Sequence, residues 1–211
     1  MAKFITFEGI DGTGKSSVCK AVFKELVDQG YMVLHTLEPS DGWLGKIVRE
    51  SYKMDISPFS EAMLFCADRA QHTKQINAWI EEGCHVLCDR YVDSTIAYQS
   101  ALLKPYFKKK GSDIMGWLEE VNRPYIRIPD MTVLLICPPE VCLERIGERG
   151  DTSKFEHLDL LKAIEANYLK IKKGSKRFVT VDADKPLEKV IFNALNAVKT
   201  ALGNAKRPKK A

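Results

Sequence analysis

Gly9-Ile10-Asp11-Gly12-Thr13-Gly14-Lys15-Ser16 satisfies the pattern G-x-x-x-x-G-K-[ST] at every fixed position. Before it, Lys3-Phe4-Ile5-Thr6-Phe7 is apolar and β-branched and predicts a strand. After it, Val18, Val22 and Leu26 recur at four-residue spacing and predict a helix over 15–29, closed by Gly30. Strand, glycine-rich turn and helix is the setting this motif requires. The glycines let the backbone approach phosphate oxygens, and successive N–H groups form an anion nest at a helix N-terminus. Lys15 then reaches the β- and γ-phosphates, and the Ser16 hydroxyl is placed for Mg²⁺. Residues 9–16, with Ser17 beside them, are the expected nucleotide-phosphate contacts. An ordinary glycine-rich turn is the competing explanation, but a chance match in such a chain is on the order of one per cent.

Outward from the loop, strands and helices alternate. Strands are expected at Tyr31–Thr36, His85–Asp89, Met131–Cys137 and Phe178–Val181. Helices are expected at 43–53, from Pro58 (capped by Ser57) to about Glu82, from near Ser94, and over 112–122. Three more are expected at Pro139–Gly147, 157–173 and about Pro186–Leu202. This order predicts an α/β domain, a five-stranded parallel sheet with helices on both faces and ligands at the C-terminal strand ends. Residues 1–202 should form one domain, and 203–211 a polar, basic and disordered tail.

At 211 residues the chain can bury a substantial core. The net charge of +4 comes entirely from Lys206, Arg207, Lys209 and Lys210; without them 28 basic residues face 28 acidic ones. A nucleic-acid protein carries its positive charge on the folded body, so no nucleic-acid partner is expected. No apolar run reaches membrane-spanning length and the first residues lack a signal-like apolar stretch, so no membrane partner is expected either. The six cysteines show no metal or redox spacing. Cys84 and Cys88 on one predicted strand would lie about 13 Å apart, beyond the roughly 7 Å that a bridge tolerates. Reduced, structural cysteines point to a cytoplasmic protein.

Asp89-Arg90-Tyr91-Val92-Asp93-Ser94-Thr95-Ile96-Ala97-Tyr98-Gln99 is the second informative stretch. Asp89 ends an apolar strand, as the acidic residue near the Mg²⁺ of a phosphate-loop enzyme does. Arg90 should point into the same cleft. Taken alone, a strand-end Asp–Arg ion pair explains both.

Phe4-Ile5-Thr6-Phe7-Glu8 running into the loop, together with Asp89-Arg90-Tyr91, Ser94 and Ala97-Tyr98-Gln99, resembles the thymidylate kinase family. Leu64-Phe65-Cys66-Ala67-Asp68-Arg69-Ala70-Gln71-His72 resembles that family's thymine-contacting helix, and Pro129-Asp130-Met131-Thr132 the start of its fourth strand. The resemblance covers residues 4–137 and is looser beyond. It implies a phosphate-loop kinase fold with a short lid at about 147–157, Mg²⁺ with ATP as donor, dTMP as acceptor, and a homodimer. Arg90 would lie between the acceptor phosphate and the transferred group, and Asp11 on the sugar 3′-hydroxyl. Phe65 would stack on the base and Arg69 would donate to thymine O4. Tyr98 would lie beneath the deoxyribose, with Glu38, Ser94, Thr95 and Gln99 supplying polar contacts. Asp182 and Ala183 would border the adenine, and Ser16 and Asp89 would serve the metal.

The residue types suit that chemistry. A monophosphate acceptor is already an anion, so catalysis needs positioning and charge neutralisation rather than a general base. Phe65 and Arg69, four apart, share one helix face; on spacing alone a core phenylalanine and a solvated arginine explain them equally. Tyr98 likewise has the ordinary alternative of a core tyrosine.

Two departures from the family pattern stand out. Leu37 replaces an arginine before Glu38-Pro39, which leaves the roles of Glu38 and Trp43 open. Gly12 stands where another subgroup has arginine. The missing charge should then come from the lid, where Arg145 and Arg149 are candidates and Arg149 is preferred as nearer the polar stretch 150–156. Residues 104–129 receive no function. A kinase for dUMP or CMP shares the loop logic and differs in the base pocket. A GTPase-type switch lacks its Asn-Lys-x-Asp and Asp-x-x-Gly signatures here.

Overall fold

The computed structural model describes residues 1–107, 111, 113–147 and 157–203. Arg149, most of the expected lid and residues 204–211 lie outside the described residues. The elements run β1 (Phe4–Glu8), α1 (Lys15–Asp28), β2 (Val33–Leu37), α2 (Trp43–Ser51), α3 (Pro58–Glu81), β3 (His85–Asp89) and α4 (Val92–Leu103). A 3₁₀ turn (Lys104–Tyr106) follows, then α5 (Ile114–Asn122), β4 (Met131–Ile136), α6 (Pro139–Gly147), α7 (Leu158–Lys173), β5 (Phe178–Asp182) and α8 (Leu187–Leu202). The five strands are parallel in the order β2-β3-β1-β4-β5.

All the expected strands and helices are present, and the differences are local. β1 reaches Glu8 and β5 reaches Asp182, because the ladder bonds of Val133–Ile136 carry them one residue further. β2 starts at Val33 rather than Tyr31, opposite His85. α4 starts at Val92 rather than near Ser94, since Tyr91 is where the backbone turns in and its carbonyl accepts from the Ser94 N–H. Asp113 caps α5 by accepting from the Gly116 N–H, so that helix begins at Ile114. Cys84 precedes β3, and Cys137 follows β4 instead of ending it. All six cysteines are free thiols.

Period-two alternation decides what each sheet face carries. Ile5 and Phe7 of β1 join Val18, Val22, Leu26 and the α8 residues Val190 and Val198 in one apolar cluster. Phe4, Val86 and Cys88 join Tyr91, Ile96, Leu103 and Leu118 in another, where α4 packs against α3, α5 and α7. On this second side the sheet turns polar toward its C-terminal edge. Thr6 bonds Thr132 at 2.8 Å, and Glu8 follows, fully buried. The cleft therefore opens beside a polar strip of sheet. Among the described residues no helix is long and apolar enough to cross a membrane.

Candidate active site

The phosphate loop leaves β1 and enters α1 as expected. Gly12 has φ +84°, and a Cβ there would lie 2.3 Å from the Cys142 carbonyl oxygen. No side chain fits at that spot while α6 packs against the loop, which explains why arginine is absent from it. Gly14, also left-handed, precedes α1, and Lys15 lies buried in its first turn. Ser16 and Ser17 are exposed beside it.

Arg90 has φ +71°, the one non-glycine residue with positive φ among those described. Such a conformation costs a non-glycine residue about 1–3 kcal/mol, and side-chain contacts hold it. Its Nη2 donates to Asp11 Oδ1 at 2.5 Å and to the Tyr98 hydroxyl at 3.1 Å, and its Nη1 donates to Ser94 Oγ at 3.0 Å. The guanidinium also lies 4.9 Å from the Tyr98 ring centre. Arg90 thus pairs with Asp11 of the phosphate loop, not with its neighbour Asp89.

Asp11 also accepts from Lys15 Nζ at 3.2 Å and from the Tyr98 hydroxyl at 2.9 Å. Burial opposes its ionisation, but Arg90, Lys15 and that hydroxyl outweigh it and hold the carboxyl well below the usual range. Burial and then Arg90 lower the Lys15 pKa, while Asp11 and Asp89 act against them. Two cations and two carboxylates, Asp11 and Asp89, therefore meet at the C-terminal ends of β1 and β3. Asp89 Oδ1 is buried there without a hydrogen-bond partner. Among the described residues no three His, Cys, Asp or Glu side chains converge as a metal cage. The Asp89 carboxylate and Ser16 hydroxyl are nevertheless hard oxygen donors of the kind Mg²⁺ takes when phosphates fill its other positions.

The second wall comes from α3. Its residues Asp68, Arg69 and His72 are buried, so Arg69 is not a solvated helix charge. Arg69 Nη2 donates to Glu38 Oε2 at 2.6 Å and Thr95 Oγ1 at 2.8 Å, and Nη1 donates to Asn122 Oδ1 at 3.0 Å. Its Nε is buried with no partner. The other Glu38 oxygen meets His72 Nδ1 at 3.0 Å. Asp68 accepts from the Ser40 N–H and hydroxyl, so α3 also fixes the loop that carries Glu38. Phe65, one turn before Arg69, is half-buried and faces Tyr52 with ring centres 6.3 Å apart. From α4, Ser94, Thr95, Tyr98 and Gln99 are all buried, and Gln99 Oε1 has no partner.

Arg145 Nη1 donates to the Ala183 carbonyl at 3.0 Å, placing α6 against the Asp182–Asp184 turn. Trp43 is exposed.

Sequence reading passed over Glu8, Tyr168 and Asn122. Glu8 accepts from the Tyr91 N–H at 2.8 Å, Ser94 Oγ at 2.5 Å and the Tyr168 hydroxyl at 2.9 Å. Burial and then Asp93 push its carboxyl up to about 7, against the bonds from Ser94 and Tyr168 and the charge of Arg90. No local pattern signals these partnerships, which join residues 83 to 160 apart.

A phosphate loop facing a second basic wall, on a β2-β3-β1-β4-β5 parallel sheet, defines the class of phosphate-loop nucleoside monophosphate kinases. The sequence matches the family model described as Thymidylate kinase over residues 7–192. It is 39% identical over 198 residues to a probable thymidylate kinase of Methanococcoides burtonii, covering 93% of this chain and 96% of that one. A protein of the same description from Pyrococcus horikoshii is 38% identical, with 94% and 97% covered. One from Methanospirillum hungatei is 34% identical, with 98% of each chain covered. The chain belongs to the thymidylate kinase family.

Proposed function

We propose that this chain transfers the γ-phosphoryl group of Mg-ATP to dTMP, giving ADP and dTDP. One observation carries the base assignment. The α3–α4 wall holds a buried unpartnered donor, Arg69 Nε, and a buried unpartnered acceptor, Gln99 Oε1. Thr95, which bonds Arg69, is one helical turn from Gln99, so both groups belong to one wall. Thymine offers the complement: an O4 acceptor beside an N3–H donor. Cytosine offers the reverse, an amino donor beside a bare nitrogen, and would leave both groups unpaired.

The acceptor phosphate is anionic, so no side chain need remove a proton. Arg90 would bind it and Lys15 the donor's β- and γ-phosphates, with Asp11 holding both cations in register and then accepting from the sugar hydroxyl. Phe65 would stack on the base and Tyr98 would exclude a 2′-hydroxyl. Ser16 and Asp89 would hold Mg²⁺, which neutralises phosphate charge when bound. Residues 9–17, Arg145, Asp182 and Ala183 would serve ATP, and Arg149 would bring the lid's charge. The same reading makes residues 1–202 one domain with a lid at about 147–157, in a cytoplasmic homodimer. Trp43, Met54 and Met63 are exposed apolar side chains that such a dimer would cover.

ADP release with dTMP, dUMP, dCMP, dGMP and UMP as acceptors tests the assignment. We expect dTMP to be best and dUMP weaker but measurable, since a buried methyl group is worth about 1 kcal/mol. A preference for dCMP or UMP would replace the thymidylate assignment with another monophosphate kinase.

A further inference from the structure

Asn122 ends α5, in the segment to which sequence reading gave no function, and it is fully buried. Its Oδ1 accepts from Arg69 Nη1 at 3.0 Å and from the Tyr125 hydroxyl at 3.1 Å. Its own amide is anchored, because Nδ2 donates to the Leu118 carbonyl at 2.8 Å and to Cys66 Sγ at 3.6 Å. Asn122 is therefore a fixed acceptor, held by α5 and by the same α3 helix that carries Arg69.

A guanidinium is planar and carries five N–H donors. Glu38 and Thr95 both bond Nη2 of Arg69. These bonds hold one terminal nitrogen and leave the other side of the group less firmly held. The Asn122 bond is at that other terminal nitrogen and adds a second fixed point for the plane. The Tyr91 ring, 5.4 Å from the guanidinium carbon, limits tilt but not rotation within the plane. With a longer bond from Nη2 to the Tyr91 carbonyl at 3.4 Å, four acceptors are engaged, which leaves Nε and the second Nη1 hydrogen over. Glu38 neutralises the charge, so a neutral amide suffices for the second point.

We infer that Asn122 is a positioning residue for base selection: by holding Nη1 it fixes the plane of Arg69, and with it the direction of the donors that Arg69 keeps for the acceptor base. This rests on the thymine-recognition reading above. Loss of the Asn122 acceptor should free the guanidinium to pivot and weaken its choice between a carbonyl and an amino group at the base. The effect should fall on KM, since base contacts serve ground and transition states alike.

Asn122→Leu and Asn122→Asp, compared with the wild-type chain for dTMP and dCMP turnover, test the inference. Asn122→Leu keeps the bulk and removes the acceptor. It should narrow the ratio of kcat/KM for dTMP over dCMP about tenfold, with kcat for dTMP little changed. Asn122→Asp retains an oxygen for Nη1 and should keep most of the discrimination. Unchanged discrimination in Asn122→Leu would overturn the inference while leaving the thymidylate assignment standing; a wild-type preference for dCMP would remove that assignment itself. If Asn122→Leu does not fold, Asn122→Ala repeats the measurement. Failure of both to fold would make Asn122 purely structural, and the inference would be wrong.

Discussion

Glu8, the last residue of β1, is wholly buried, and its carboxyl is pushed up to about 7 by burial and by Asp93. Between an ordinary carboxylate value of 4.5 and about 7, the folded chain binds more protons at this site than the unfolded chain does. Stability from Glu8 is therefore greatest at the acid end, falls as pH rises through that window, and is flat above it. Asp11 has the opposite sign: its depressed pKa contributes stability above its ordinary value of 3.8, which is lost at lower pH. The two windows barely overlap. Glu8→Gln, with one oxygen still able to accept from the Tyr91 N–H, should flatten the fall in stability between about pH 5 and 7. Denaturant unfolding across that range checks it, and an unchanged slope would assign the titration to another group. At this scale the sequence was most informative where chemistry is local. The loop residues Gly9 to Ser16 could be assigned by pattern, whereas Glu8, though within the stretch that resembles the family, was given no role.

Among the elements, α6 and the segment after it divide the two lid arginines. Arg145, in the last turn of α6, donates to the Ala183 carbonyl and lies 3.9 Å from Asp184. A guanidinium engaged with the β5–α8 turn shapes the expected adenine border. Arg145→Ala should therefore raise KM for ATP several-fold with kcat nearly kept. Arg149→Ala should lower kcat at least a hundredfold with little change in dTMP affinity, as a charge acting in the transition state requires. Steady-state kinetics with each substrate varied separates the two, and the reverse pattern would exchange their roles. Spacing along one helix named both residues and nearness to the polar stretch 150–156 favoured Arg149, but what Arg145 engages depends on what α6 packs against. The same holds for α3. Its four-residue spacing put Phe65 and Arg69 on one face, yet only the Glu38 loop and α4 arriving on that face make Arg69 a buried group.

Across the whole molecule, Arg177, just before β5, spans two layers. It donates to both carboxylate oxygens of Asp93 on α4, at 2.6 and 2.8 Å, and to Thr132 on β4. Asp93 is almost fully buried, so removing it strands a cation in a low-dielectric site. Asp93→Ala should cost about 3–5 kcal/mol, and pairing Asp93→Leu with Arg177→Met should recover much of the loss. Thermal unfolding measures both, and a loss below about 1 kcal/mol for Asp93→Ala would mean that water screens the pair. Strand order, helix order and the phosphate loop were determined by the sequence itself, because periodicity, capping and a backbone nest are fixed by neighbours within a few residues. The partners of Glu8, the plane of Arg69 and the Asp93–Arg177 bridge were decided only by the tertiary structure. Each joins residues dozens of positions apart, and a buried polar group takes its partner from whatever the packing of the sheet and helices brings to it.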